Sequence, residues 1–231
     1  MTIRYRFTDR HGGTGSPPYD TFNLARHVGD HPADVSRNRA RLKENLGMET
    51  IVWMEQVHGA RIEVVTSMHL ETVPACDAIV TDNPDIALAV MVADCIPILM
   101  YDATKGVVAA VHAGRNGTFL KIAPKTVRTL QERFGCTPTD IRVVMGPSIH
   151  ACCYEIGDDL AAVVEKNFGK GYMNGRSLDL QKLNRDQLTE AGVGEGNIEI
   201  SEVCTCCDHD YFSYRREGTT GRFAGVIWME G

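Results

Sequence analysis

IALAVMVADCIPILMYD, residues 86–102, followed after four residues by VVAAVH, residues 107–112, decides the fold class. The apolar runs are dense in Val, Ile, Leu and Ala. They are interrupted at Ala93-Asp94-Cys95 and again at Ala103–Gly106, so each piece is too short for a stable helix and reads as a buried strand. Strands are therefore predicted over Ile86–Val92, Ile96–Tyr101 and Val107–His112. The stretch from Ile86 to Tyr101 is broken by Asp94 and Pro97 and falls short of the roughly 20 residues that span a bilayer.

Working outward, Ile51–Val57, Arg61–Val65 and Ala78–Thr81 read as short strands, and an opening strand precedes the Gly/Pro-rich loop Gly12–Pro18. Pro32–Leu46 reads as a helix, with Pro32 suited to its first turn and Gly47 to its C-terminal cap. Apolar residues recur at helical spacing from Phe119 to Phe134, where Pro124 must start or kink the helix. Ile141–Met145 reads as a strand, Asp158–Phe168 and Leu180–Ala191 as helices, and Ile198–Cys204 and Phe223–Met229 as closing strands. Irregular alternation of this kind predicts a mixed α/β or α+β fold with mixed sheets, and no linker or repeat divides residues 1–231.

The 231 residues are 43% apolar and 23% charged, a globular composition too hydrophobic for disorder. Lys+Arg 24 against Asp+Glu 30 leaves a net charge of −6, which lacks the cationic excess that a sequence-independent grip on nucleic acid requires. The polar N-terminal segment MTIRYRFTDR has no signal-peptide character, so the expected location is cytoplasmic and the eight cysteines are expected to stay reduced.

There is no phosphate-binding P-loop, no serine nucleophile elbow and no paired-histidine zinc-protease helix, and the histidines include no His-x-His pair. Three segments each put a soft or borderline ligand at the end of an apolar strand: Gln56-Val57-His58-Gly59, Ala93-Asp94-Cys95 and Val111-His112-Ala113-Gly114. Strand ends hold side chains rigidly, and Gly59 and Gly114 let the backbone turn away at once. Two imidazoles and one thiolate would leave a tetrahedral zinc ion one open position, and such an ion brings the pKa of bound water to about 7. The ligands lie 37 and 17 residues apart, so spacing alone leaves two other readings open. One is an imidazole-activated Cys95 nucleophile, and the other is a core thiol beside two satisfied histidines.

Cys204, Cys206 and Cys207 with His209, together with Cys152-Cys153, match metal-ligand spacing only loosely. Adjacent cysteines do not easily share one ion, and buried thiols near strand ends are expected. His11, His27 and His31 fall in an N-terminal loop, and Arg37, Arg39 and Arg41 on the first helix; most are expected to be solvated. Tyr211–Arg216, YFSYRR, is expected to be a packed strand with charged edges.

Taken together, the stretches GGTGSPPYDTFNLARHVGD, VSRNRARL, EQVHG, CDAIVTDNP, VADCIPILMYD, AAVHAGRNGT, MGPSIHACCYEIG, LDL, QLTEAGV and CT followed by FSYRREGTTGRFAGVI resemble the YfiH/laccase-domain family. Members are also known as polyphenol-oxidase-like purine nucleoside phosphorylases. The resemblance runs from about residue 10 to 228 and implies a layered single domain with mixed sheets flanked by helices. It implies a metal, zinc or alternatively copper, on His58, Cys95 and His112. It further implies phosphorolysis of adenosine, inosine, guanosine and methylthioadenosine, with hydrolytic deamination of adenosine; a copper-dependent, laccase-like phenol oxidase is the alternative activity. Purine nucleoside and phosphate are then the partners, and no nucleic acid or membrane is expected. On this resemblance Asp94 is a candidate proton shuttle beside the metal ligands, Arg39 a candidate phosphate ligand, and Asn23 and Tyr154 candidates for ribose and base.

One departure stands out. The family's HAGWRGT is HAGRNGT here, with Arg115 and Asn116 in place of Trp and Arg. On an extended segment neighbouring side chains face opposite ways, so Arg115 would not replace the missing Arg.

Overall fold

The computed structural model describes residues 1–230 as a layered α/β structure built around two mixed sheets. In chain order the elements are β1 (Thr2–Phe7), α1 (Pro32–Leu46), β2 (Thr50–Met54), β3 (Ile62–Val64), β4 (Thr72–Val73), β5 (Ala78–Thr81), β6 (Ile86–Val92), β7 (Ile96–Asp102), β8 (Val107–Ala113), α2 (Arg115–Phe119) and α3 (Ile122–Phe134). There follow β9 (Arg142–Met145), α4 (Asp158–Phe168), β10 (Met173–Asn174), β11 (Ser177–Leu178), α5 (Leu180–Glu190), β12 (Ile198–Ile200), α6 (Tyr214–Glu217) and β13 (Phe223–Glu230).

One sheet has the order β1-β13-β6-β2-β4, the other β12-β9-β7-β8-β5-β3, and β10 and β11 form a separate ribbon. Neighbours pair both parallel (β2 with β6, β3 with β5, β9 with β12) and antiparallel (β7 with β8, β6 with β13), as irregular connections require. The alternation of side chains along β6 and β8 explains why these strands are apolar on both faces. In β8, Val107, Ala109 and Val111 join Ile122, Val127 and Leu130 of α3. Val108 and Ala110 instead meet Leu88 and Val90 of β6 between the sheets. On the far side of β6, Ala87, Ala89 and Met91 pack with Leu24, Leu42 of α1 and Trp53. The layers are thus helices, sheet, sheet and helix, and each fully buried Val or Leu contributes roughly 1.5–3 kcal/mol by leaving water.

Helix α1 runs as expected: Pro32 opens it, and Gly47, at φ 65°, closes it with bonds from Gly47 N–H and Met48 N–H to the carbonyls of Glu44 and Lys43. Elsewhere the expected boundaries move. The expected strand over Ile51–Val57 ends at Met54, and the helical pattern from Phe119 is cut by Lys121 in the left-handed region, so Pro124 falls in the first turn of α3. The expected strand Ile198–Cys204 stops at Ile200. YFSYRR is not a strand: the Ser213 hydroxyl accepts the Arg216 N–H at 3.2 Å and caps the short helix α6. Among the described residues no helix is long and apolar enough to cross a membrane, and all eight cysteines are free thiols.

Candidate functional site

Where β6 ends, Ala93-Asp94-Cys95 carries the chain across from one sheet to the other and into β7. This crossover closes the floor of a cavity of about 370 Å³, whose lining includes His27, Gln56, His58, Asp94, Cys95, His112, Tyr154, Arg215 and Arg222. The ligand atoms of His58, Cys95 and His112 lie within 4.8 Å of one another. The two imidazoles meet edge to face, with centroids 4.8 Å apart.

The convergence is organised by Asp77, a fully buried carboxylate just before β5. Asp77 accepts the backbone N–H groups of Val57 (3.3 Å), His58 (2.9 Å) and Gly59 (2.7 Å), and the Nδ1 hydrogen of His112 at 2.8 Å. The three successive amides form an anion nest, which stabilises His58 in the left-handed conformation at φ 58°. With Nδ1 committed to Asp77, His112 turns Nε2 toward Cys95 and His58 in the neutral tautomer that a metal requires. Gly114 is needed for close approach: a Cβ there would lie 2.8 Å from the Cys95 sulfur.

Electrostatics fit a metal centre. Burial opposes ionisation of the Asp77 carboxyl, but the His112 bond and the Gly59 and Val57 amides outweigh it and hold the group below the usual carboxylate range. Burial likewise favours a neutral Cys95 thiol, yet His112 and His58 pull it down to about 6. Burial lowers His112, while Cys95 and Asp77 together raise it to about 9. Each partner thus favours the charged form of the other against the effect of burial, and the set His2Cys is one that zinc and copper both accept.

Of the residues singled out in the sequence, His58, Asp94, Cys95, His112 and Tyr154 line one cavity. Asp94 sits at φ 91°, held by the Thr205 hydroxyl on Oδ1 (2.8 Å) and the Arg215 backbone N–H on Oδ2 (2.6 Å). The Tyr154 phenol is pushed up by burial and by the Cys95 and Asp94 charges, with Arg115 and Arg215 opposing. The Arg215 guanidinium lies 5.2 Å from the centroid of the Tyr154 ring.

Asn23 and Arg39 are elsewhere. Asn23 is fully buried, donating to Ala25 O (3.1 Å) and Asp30 Oδ2 (2.9 Å) and accepting the N–H groups of Ala25 (3.0 Å) and Arg222 (2.9 Å). Arg39 stacks on Trp53 at 4.1 Å and bonds Leu24 O and Glu71, in a separate groove that shares His27 and Met91 with the cavity lined by His58, Cys95 and His112. Burial pushes its guanidinium down to about 10, with the Arg26 charge adding to the effect.

The residues to which the sequence reading gave no role at the site are Asp77, Gln56, His27 and Arg222. Gln56 brackets the Met91 backbone, donating to its carbonyl (2.7 Å) and accepting its N–H (2.9 Å), and so ties the end of β2 to β6. His27 is held below the usual imidazole value by burial and by the charges of Arg222, Arg39 and His58. Asp77 and Arg222 fall inside the quoted stretches CDAIVTDNP and TGRFAGVI, but nothing local distinguishes them from other charged residues. Arg115 and Asn116 open helix α2 and are both exposed, so the expectation of an extended segment with opposed side chains does not hold: helical neighbours are about 100° apart.

Residues 4–230 match the family model described as multi-copper polyphenol oxidoreductase laccase. A Mycobacterium tuberculosis protein named purine nucleoside phosphorylase is 39% identical to this chain over its whole length and 93% of the relative's own. A Streptomyces coelicolor protein of the same name is 40% identical over 98% of this chain and 95% of the relative. The crystal structure of YlmD from Geobacillus stearothermophilus is similar at a TM-score of 0.94 with 36% identity, covering 99% of this chain and 92% of its own. That of the Bacillus licheniformis hypothetical protein YfiH is similar at 0.93 with 33% identity, covering 99% and 93%.

Proposed function

The chain belongs to the multi-copper polyphenol oxidoreductase laccase family, and from that premise we propose that it is a zinc-dependent purine nucleoside phosphorylase whose chemistry is centred on His58, Cys95 and His112. The observation that carries this reading is one cavity in which a His2Cys donor set, held by Asp77, faces a guanidinium and a flat aromatic-cationic wall. The relatives named purine nucleoside phosphorylase support the same reaction. Adenosine, inosine, guanosine and methylthioadenosine are the proposed substrates, with hydrolytic deamination of adenosine as a second activity.

In phosphorolysis an oxygen of phosphate bonds C1′ of the ribose while the bond from C1′ to the purine nitrogen breaks; the purine leaves with the electron pair and takes up a proton. Arg222 is suited to the phosphate. Its Nη1 is fixed by the carbonyls of Thr220 and Gly221, both at 2.9 Å, which orients the guanidinium and leaves Nη2 without a partner among the described residues. Arg39 has no such freedom, and Arg222 takes the phosphate role in its place. Tyr154, with Arg215 over its ring, offers a flat surface to the purine. Asn23 acts on substrate only through the Arg222 backbone. Asp94, each oxygen already accepting a hydrogen bond, acts as a positioning residue for Cys95, and His27 at the cavity wall is the side chain suited to proton transfer. Zinc bound by His58, Cys95 and His112 would supply Lewis acidity and the means to activate water at neutral pH.

A copper oxidase reading draws on the family description; copper would be held by the same His58, Cys95 and His112, and a thioether is among the soft donors it accepts. Met91 is the methionine in the cavity wall, and its sulfur accepts from Arg39 Nη2 at 3.7 Å. That bond commits the thioether to Arg39, so Met91 is not held ready as a further donor.

Chromatography of adenosine and inosine incubated with the protein, with and without phosphate, tests the proposal. Free purine base formed only with phosphate is expected, and inosine formed from adenosine reports deamination. Absence of any purine product from metal-loaded protein overturns the reading.

A further inference from the structure

Beside the cavity wall, where Tyr154 follows Cys153, two turns bring four thiols together. Cys152 and Cys153 lie on the turn in which the Cys153 and Tyr154 N–H groups donate to His150 O. Cys204 and Cys207 lie on a second turn, in which the Cys207 and Asp208 N–H groups donate to Cys204 O. The segments are joined by a parallel bridge between Ser148 and Cys204, with Ser148 N–H bonded to Val203 O and Thr205 N–H to Ser148 O. The sulfurs of Cys152, Cys153, Cys204 and Cys207 all fall within 4.8 Å of one another. Two of the separations are 3.8 Å (Cys152 to Cys207) and 3.3 Å (Cys153 to Cys207).

These distances have a chemical meaning. Four sulfurs at about 2.3 Å from a tetrahedral zinc ion stand roughly 3.8 Å apart, whereas a disulfide brings two sulfurs to about 2.05 Å. Adjacent Cys152 and Cys153 both reach Cys207 because they sit on a tight turn, where successive side chains need not diverge as they do on a strand. The turn at Cys204 also has the Cys-x-x-Cys spacing of zinc knuckles, and the His150 N–H points at the Cys204 sulfur at 3.4 Å, a stabilising contact for a thiolate. Two arginines brace the same turns through their backbone carbonyls. Arg215 donates to the carbonyls of Cys153 and Glu155, and Arg216 to those of Thr205, Cys206, Asp208 and Tyr211.

We propose that Cys152, Cys153, Cys204 and Cys207 form a second metal site, a closed four-thiolate centre for zinc, separate from His58, Cys95 and His112. With every position filled by sulfur it has no place for substrate, and its role is structural. It fixes the two turns that supply the cavity wall: Tyr154 follows Cys153 directly, and Thr205 and Arg215 hold Asp94 next to Cys95.

The test is cobalt titration of metal-stripped, reduced Cys95→Ser protein, which removes the only thiolate of the catalytic cluster and leaves the four-cysteine cluster intact. Uptake of about one cobalt per chain with strong thiolate-to-cobalt charge-transfer absorption, bleached on adding an equal amount of zinc, is expected. The same titration of the Cys95→Ser/Cys207→Ser double variant should lose that absorption. Absence of charge-transfer absorption in Cys95→Ser overturns the proposal. So does an intact mass, for protein isolated under reducing conditions, that is short by the two hydrogens of a disulfide among these cysteines. Because the deciding measurement leaves the cluster unmutated, a folding defect in the double variant does not remove the test. Neither outcome depends on whether nucleosides are turned over.

Discussion

Asp77 accepts the Nδ1 hydrogen of His112 at 2.8 Å and the backbone N–H of His58 at 2.9 Å, so one buried carboxylate sets the positions of two candidate metal ligands that are 54 residues apart. Replacing it by Asn leaves one acceptor oxygen for four donors and removes the charge that fixes the His112 tautomer. Asp77→Asn should weaken zinc binding by about 10–100-fold. Competition against a chromogenic chelator reads this directly, and an unchanged affinity would show that Asp77 does not orient the ligands.

Gly114 has an ordinary negative φ of −73°, so its substitution tests space alone and not backbone strain. In Gly114→Ala the new Cβ would meet the Cys95 sulfur at 2.8 Å and displace it from the ligand cluster. The variant should fold with little loss of thermal stability and yet carry well under one metal per chain by elemental mass spectrometry. Full occupancy would mean that the crossover loop relaxes freely.

Asn23 has the Arg222 and Ala25 amides on one side-chain oxygen and no contact with solvent. Asn23→Ala leaves those amides unsatisfied and should cost about 1–3 kcal/mol in urea unfolding, with a raised KM for phosphate because Arg222 loses its backbone anchor. A stability loss with no change in that KM would separate Asn23 from the function of Arg222.

Glu217 joins both ends of the chain: it accepts from Arg10 Nη1 at 2.6 Å, from Arg216 Nη2 at 3.0 Å, and from the Thr220 hydroxyl. Burial raises its carboxyl, but these partners outweigh burial and hold it below the ordinary glutamate value of 4.5. A carboxyl lowered by folding stabilises the native state fully above the unfolded pKa and loses that contribution as pH falls through the folded one. Wild type should therefore be more stable than Glu217→Gln at pH 7, and the two should converge as pH drops below about 4.5. Thermal melts across that range would show parallel curves if the contacts carry no net weight.

How much of this was readable beforehand depends on the range of the interaction. Helix Pro32–Leu46 and strands Ala78–Thr81 and Ile86–Val92 are legible to the residue because caps, breakers and apolar runs are local signals. His58, Cys95 and His112 could be singled out because each lies at or near the edge of an apolar run, although their meeting requires the crossover between two sheets. Asp77 could not be singled out, since its importance lies in amides from residues 57–59 and a ring from residue 112. Arg39 invites a phosphate role through the family-like stretch VSRNRARL; only the packed structure reveals Trp53 against its guanidinium. The four clustered cysteines were obscured for a similar reason, because turns at residues 150–154 and 204–208 replace the strand ends on which they were expected to lie.

The most direct measurement is phosphorus NMR of inosine and phosphate incubated with zinc-loaded wild-type protein and with Cys95→Ala. A phosphorolytic centre at His58, Cys95 and His112 predicts a ribose 1-phosphate signal that grows in step with free hypoxanthine for wild type and is absent for a folded Cys95→Ala. Ribose 1-phosphate formed equally well by Cys95→Ala, or base released without any new phosphate ester, would contradict it.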